Sequence, residues 1–138
     1  MKKKLNCVLL IDDDKGTNFI NQMIIKKSGI TDNIQTVLNG KEAIDFITNK
    51  GKFEKEDQVY PQPMLTLLDI NMPVMDGWEF MEELTAIKPQ IQKEFSVYIV
   101  SSSIAREDKD KAKAYDCIKG FISKPINLSI IEQIANED

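Results

Sequence analysis

The sequence predicts an α/β protein, a doubly wound parallel sheet of five strands in the order 2-1-3-4-5. Three observations carry that expectation. Five apolar strand candidates alternate strictly with five helical segments, as in consecutive right-handed βα units. The first, third and fourth candidates are unbroken apolar runs, the pattern of parallel strands covered on both faces. Four strand candidates end on polar residues, at the edge of an open sheet where ligands bind.

The strands are expected at about 5–11, 33–38, 64–69, 96–101 and 120–123. Helix 1 should run from about Lys15 to Ser28 and stop at Gly29, burying Phe19, Ile20, Met23 and Ile24 at helical spacing. Helix 2 follows Asn39-Gly40 and carries Ala43, Ile44 and Ile47. Helix 3 starts near Asp76, a good N-cap, and carries Phe80, Met81 and Leu84 before Pro89. Helix 4 covers roughly Arg106–Tyr115. Helix 5 follows Pro125-Ile126-Asn127 with Leu128, Ile131, Ile134 and Ala135 as its apolar stripe.

At 138 residues the chain fits one domain, 1–138, with a basic tail at 1–4 and a long solvated loop at 49–63. Its 42% hydrophobic and 29% charged residues are ordinary for a globular protein, so neither disorder nor a fibrous class is required. A net charge of −4 argues against a general nucleic-acid-binding surface. No apolar run approaches the ~20 residues of a membrane span, and Met1-Lys2-Lys3-Lys4 lacks the apolar stretch of a signal peptide. Cys7 and Cys117 show no Cys-x-x-Cys spacing and suit a reducing cytoplasm. Histidine is absent, which excludes Ser-His-Asp and Cys-His catalysis, a His-bound zinc site and a self-contained phosphohistidine carrier.

The strand ends carry the chemistry. Asp12-Asp13-Asp14 follows Val8-Leu9-Leu10-Ile11, and Asp69 closes Leu67-Leu68. If strands 1 and 3 are neighbours, these carboxylates converge and repel, and a hard cation such as Mg2+, held by carboxylates, carbonyls and waters, would relieve them. The plainer alternative is that the acids cap helix 1 and a turn, and the acids alone do not decide between the two. Ser101, at the end of Val97-Tyr98-Ile99-Val100, and Lys124, after Phe121-Ile122-Ser123, tip the balance. An aspartate attacking phosphorus forms an aspartyl-phosphate, and the transferring group needs cationic and hydroxyl partners for its oxygens. Each is a common loop residue by itself; together at successive strand ends they describe a cation-and-phosphate site.

The segment Leu68-Asp69-Ile70-Asn71-Met72-Pro73-Val74-Met75-Asp76-Gly77, with the first-strand acids and Lys124-Pro125, resembles the receiver domain of two-component response regulators. The resemblance runs over roughly 5–137 and is to the stand-alone, chemotaxis-receiver type, which implies a flavodoxin-like fold. It implies Asp69 as phosphoacceptor with Mg2+ as cofactor, Asp13 as direct metal ligand, Asp12 acting mainly through water, and the Asn71 backbone carbonyl as a further ligand. Ser101 stands at the switch hydroxyl, Phe121 at the aromatic rotamer switch and Lys124 at the family's lysine. Because Ser101 to Lys124 is about one residue longer than in the chemotaxis type, Ser102 is the alternative switch hydroxyl. Asn71 and Ser103 would line the path of the attacking water and tune phosphate lifetime.

The implied partners are a sensor histidine kinase or a histidine phosphotransfer protein and a downstream protein that reads the helix 4–strand 5–helix 5 face. The protein would be a monomer or a weak phosphorylation-dependent dimer, without enzymatic activity beyond taking up and slowly losing its phosphoryl group. The alternatives are a phosphorelay shuttle to a histidine phosphotransfer protein and an interaction module that is not phosphorylated. A haloacid-dehalogenase-like phosphatase would want Asp where Asn71 stands. An EF-hand fails because Met23 falls where its closing Glu belongs.

Overall fold

In the computed structural model, residues 5, 7–48, 65–72, 75–87 and 95–137 are described. The basic tail expected at 1–4, the loop expected at 49–63, and Pro73, Val74 and Pro89 lie outside them. The strands are β1 (Val8–Ile11), β2 (Ile34–Val37), β3 (Leu65–Asp69), β4 (Ser96–Ser101) and β5 (Ile118–Ser123). The helices are α1 (Lys15–Ser28), α2 (Gly40–Thr48), α3 (Gly77–Ile87), α4 (Arg106–Ala112) and α5 (Leu128–Glu137). All pairings are parallel and the strand order is β2-β1-β3-β4-β5, the expected doubly wound topology.

The central strands are apolar on both sides because both sides are covered. Residues of alternate parity enter two cores. Leu9, Ile11, Leu68 and Ile99 join Ala43, Ile47, Phe80, Met81 and Leu84 of α2 and α3. Val8, Leu10, Leu67 and Val100 join Ile25 of α1 and Ile131 and Ile134 of α5. Full burial of one such side chain is worth about 1.5–3 kcal/mol.

Helix starts are set locally. Asp14 accepts from the N–H groups of Gly16 and Thr17 at the head of α1, at 2.8 and 3.3 Å. Asp76 and Glu79 cap α3 reciprocally: Glu79 N–H donates to Asp76 at 2.9 Å and Asp76 N–H to Glu79 at 3.4 Å. Asn39 and Asn127 accept from the N–H groups of Glu42 and Ile130, both at 2.9 Å. α1 ends at Gly29 with φ of 73°, where a left-handed residue closes the helix at little steric cost.

The apolar stripe expected on α1 is wrong by a rotation of the helix. Phe19, Ile20 and Met23 are 63%, 58% and 57% exposed, whereas Asn18, Asn21, Ile25 and Ser28 face inward. Ile24 is only partly buried, against the α1–α5 core. Polar atoms decide the phase. The Asp14 cap fixes the first turn, and the Asn18 amide donates to the carbonyls of Asp12 and Val37, drawing residue 18 onto the strand ends. Ser28 hides its polarity by donating to the Ile25 carbonyl at 2.6 Å.

Helix 4 is shorter than expected, ending at Ala112, its one buried residue. Trp78 of α3 holds it: the indole N–H donates to Asp108 at 3.2 Å, and the ring stacks on Tyr115 with centroids 6.4 Å apart. Strand β5 begins two residues earlier than expected. A register shift lies between Val97↔Ile118 and Tyr98↔Gly120, and pairing continues from there to Ser101↔Ser123. That bulge absorbs an extra residue, so Ser101 still reaches the strand end.

Candidate functional site

Registers bring the polar ends together. Ile11 pairs with Leu68 and Asp69 with Val100, so Asp12, Asp69 and Ser101 emerge at one edge of the sheet. Lys124 joins them because its N–H donates to the Ser101 carbonyl at 3.0 Å. Its ammonium reaches Asp12 Oδ2 at 2.8 Å and Asp69 Oδ2 at 3.4 Å, bridging residues 112 and 55 positions away in sequence. The remaining carboxylate oxygens are engaged too: Asp12 Oδ1 accepts from Asp14 N–H and Asp69 Oδ1 from Asn71 N–H, each at 3.0 Å.

Asp12, Asp13 and Asp69 each offer a carboxylate oxygen, all within 4.8 Å of one another. Asp12 and Asp69 are buried and Asp13 is exposed. An all-oxygen donor set with an open side suits Mg2+, which keeps several waters and takes only a few protein carboxylates. The residues fit that ion. Asp14 does not join the set; it is exposed and caps α1.

Burial, the largest influence on Asp69, pushes its carboxyl above the ordinary range, and the Asp12 charge adds to the rise. The Asn71 N–H and Lys124 oppose it without cancelling it. For Lys124 burial works against the charge, yet the ion pairs with Asp12 and Asp69 outweigh it and hold the ammonium above the usual lysine range. Both thiols are pushed up to about 11 by burial, so Cys7 and Cys117 are inert core residues near neutral pH.

Of the two hydroxyls considered, Ser101 is buried and Ser102 exposed. The Ser101 hydroxyl turns to its own loop, donating to the Ser103 carbonyl at 2.9 Å and accepting from the Ser103 N–H at 3.1 Å. Phe121 is half-buried on β5 against the α2–α3 core, and Asn71 is exposed beside Asp69. Gly77 permits a close approach: a Cβ there would lie 2.7 Å from Ile70 Cα, so only glycine lets α3 start against the residue after Asp69. The sequence reading missed Asn18. The signal was present, because Asn18, Asn21, Ile25 and Ser28 lie on one helical face, but an apolar criterion passes over that face.

The chain belongs to the response regulator receiver domain family, whose family model matches residues 8–136. It is a receiver domain of two-component systems, a family in which phosphorylation and Mg2+ are general. It is similar to the response regulator Rcp1 of Synechocystis sp., at 26% identity over 122 residues covering 88% of this chain and 78% of that protein. A crystal structure of a two-component response regulator from Cytophaga hutchinsonii matches 98% of this chain and 97% of its own, with 30% identity and a TM-score of 0.82. The phosphorylated cyanobacterial phytochrome response regulator RcpA matches 96% of this chain and 89% of its own, with 26% identity and a TM-score of 0.73. Longer relatives extend beyond it; the chain spans 57%, 24% and 32% of three of them. Among the described residues no helix is long and apolar enough to cross a membrane.

Proposed function

We propose that this protein is a phosphorylatable switch in which Asp69 accepts a phosphoryl group from a histidine kinase or a histidine phosphotransfer protein. The observation that carries the reading is the Lys124 ammonium bridging Asp12 and Asp69 beside Asp13. In the transfer, the donor's P–N bond breaks as an Asp69 oxygen forms the new O–P bond, and the released imidazole takes up a proton. Lys124 offers its ammonium to a phosphoryl oxygen. Asp12, Asp13, Asp69 and the Asn71 carbonyl would hold Mg2+, which when bound would supply charge neutralisation to the phosphoryl oxygens.

The new phosphoryl oxygens compete with the Ser103 carbonyl for the Ser101 hydroxyl. Ser101 turns toward Asp69, releasing the loop that leads into α4, and Phe121 moves inward as its neighbours rearrange. The readout is a population shift on the α4–β5–α5 face, where Arg106, Lys109, Lys113 and Lys119 are exposed and Ile130 is half-buried. Asn71 and Ser103 set the lifetime by controlling approach of water. A protein donor is supported by the exposed apolar side chains Phe19, Ile20 and Met23 on α1, the helix that begins next to the acids.

Intact mass after incubation with Mg2+ and phosphoramidate tests this reading. One phosphoryl adduct is expected on the unmodified chain, absent from Asp69→Asn and suppressed by EDTA. Equal labelling of Asp69→Asn would overturn the assignment of the acceptor.

A further inference from the structure

Asn18 is 4% exposed, a carboxamide on the inner face of α1 where an apolar side chain would pack without polar cost. Its Nδ2 donates to the Asp12 carbonyl at 2.9 Å and to the Val37 carbonyl at 3.2 Å. Those two acceptors fix the orientation of the amide, since a flip would set oxygen against two carbonyls. The other end, Oδ1, is buried and meets no donor among the described residues. An unpaired buried acceptor costs about 1–3 kcal/mol, so packing alone does not account for asparagine here.

Asn18 also lines a small cavity beneath the acids. Asp12, Asn21 and Asp69 form its polar wall, and Leu10, Leu67 and Val100 its apolar wall. With about 10 Å³ of room, it takes a single water molecule, whose hydrogen bonds the polar wall can supply. The same asparagine therefore touches the site twice, through the Asp12 backbone and through this cavity.

We propose that Asn18 is a positioning residue of the acidic site, pinning the end of β1 through the Asp12 carbonyl and accepting at Oδ1 from one buried water, which gives its second O–H to the Asp12 or Asp69 carboxylate. The inference rests on the function proposed above and adds to it. Asp12 and Asp13 follow directly from the pinned end, so a shift there moves two carboxylates at once. Mg2+ demands near-ideal octahedral geometry, and loss of a group that orients metal ligands typically lowers affinity 10–100-fold.

The test is calorimetric titration of the full chain with Mg2+, alongside labelling by phosphoramidate across Mg2+ concentrations. Asn18→Leu should weaken Mg2+ binding about tenfold or more, while far-UV circular dichroism is unchanged and labelling recovers at saturating Mg2+. Asn18→Thr, which keeps one donor and fills less space, should fall between, and it decides the question if Asn18→Leu does not fold. A folded variant that binds Mg2+ within about twofold of the unmodified chain overturns the role of Asn18. A crystal structure showing the cavity dry overturns its water. If the unmodified chain itself binds no Mg2+ and takes no phosphoryl group, the proposed function fails first and this inference falls with it.

Discussion

Asp69 holds a carboxylate where charge is disfavoured, and that tension has a measurable consequence. Its carboxyl is raised in the folded protein, chiefly by burial, so the folded state binds a proton more readily than the unfolded chain. The ionised form therefore destabilises the fold at neutral pH, and this penalty fades as pH falls through the raised value toward the ordinary 3.8. Asp69→Asn removes the charge at almost constant shape. In EDTA it should raise the melting temperature by a few degrees at pH 7, with the gain shrinking steadily on acidification. Thermal melts at several pH values check this; a gain that grows as pH falls would contradict it. The site thus favours a neutralising partner such as a cation beside Asp69 and Asp12.

Two elements show how local chemistry overrides hydrophobic pattern. In α1 the inner positions are Asn18, Asn21, Ile25 and Ser28, and the apolar Phe19, Ile20 and Met23 face out. Phe19→Ser should leave stability within about 0.5 kcal/mol, whereas Ile25→Ala should cost about 2–5 kcal/mol; urea denaturation separates the two directly. α3 depends on one missing methyl group. Gly77→Ala forces a Cβ against the Ile70 backbone, and the strain should cost about 1–3 kcal/mol in the same assay. The stripes of α2, α3 and α5 were legible because their inner residues are apolar: Ala43, Ile44 and Ile47; Phe80, Met81 and Leu84; Ile131, Ile134 and Ala135 are all buried. That of α1 was not, because the Asn18 amide nitrogen and the Ser28 hydroxyl bond to nearby backbone, which lowers the penalty that normally sends such groups outward.

At the scale of the molecule, Lys124 joins the end of β5 to the acids after β1 and at the end of β3. Lys124→Ala leaves two mostly buried carboxylates without their cation. In EDTA it should destabilise the fold by about 1.5–3 kcal/mol, with much of the loss returned by Mg2+, which can neutralise the same oxygens. Chemical denaturation with and without the ion measures both parts, and a loss that Mg2+ does not reduce would argue against a shared site. Some phosphoramidate labelling should survive in this variant, because Asp69 and the other acids remain.

The sequence by itself determined the alternation of strands and helices, the strand order, the helix caps and the residues that gather at the sheet edge. These follow from short-range pattern: apolar runs, capping residues next to helix starts, and polar residues just past strand ends. Only the tertiary structure decided which face of α1 turns inward, where the extra residue of β5 is absorbed, how Trp78 holds α4, and that the Asn18 amide bonds to the Asp12 and Val37 carbonyls. Each of those depends on partners far apart in the chain — Asn18 with Val37, Val97 with Ile118, Trp78 with Asp108 — whose meeting is fixed by how whole elements pack, not by the pattern within any one of them.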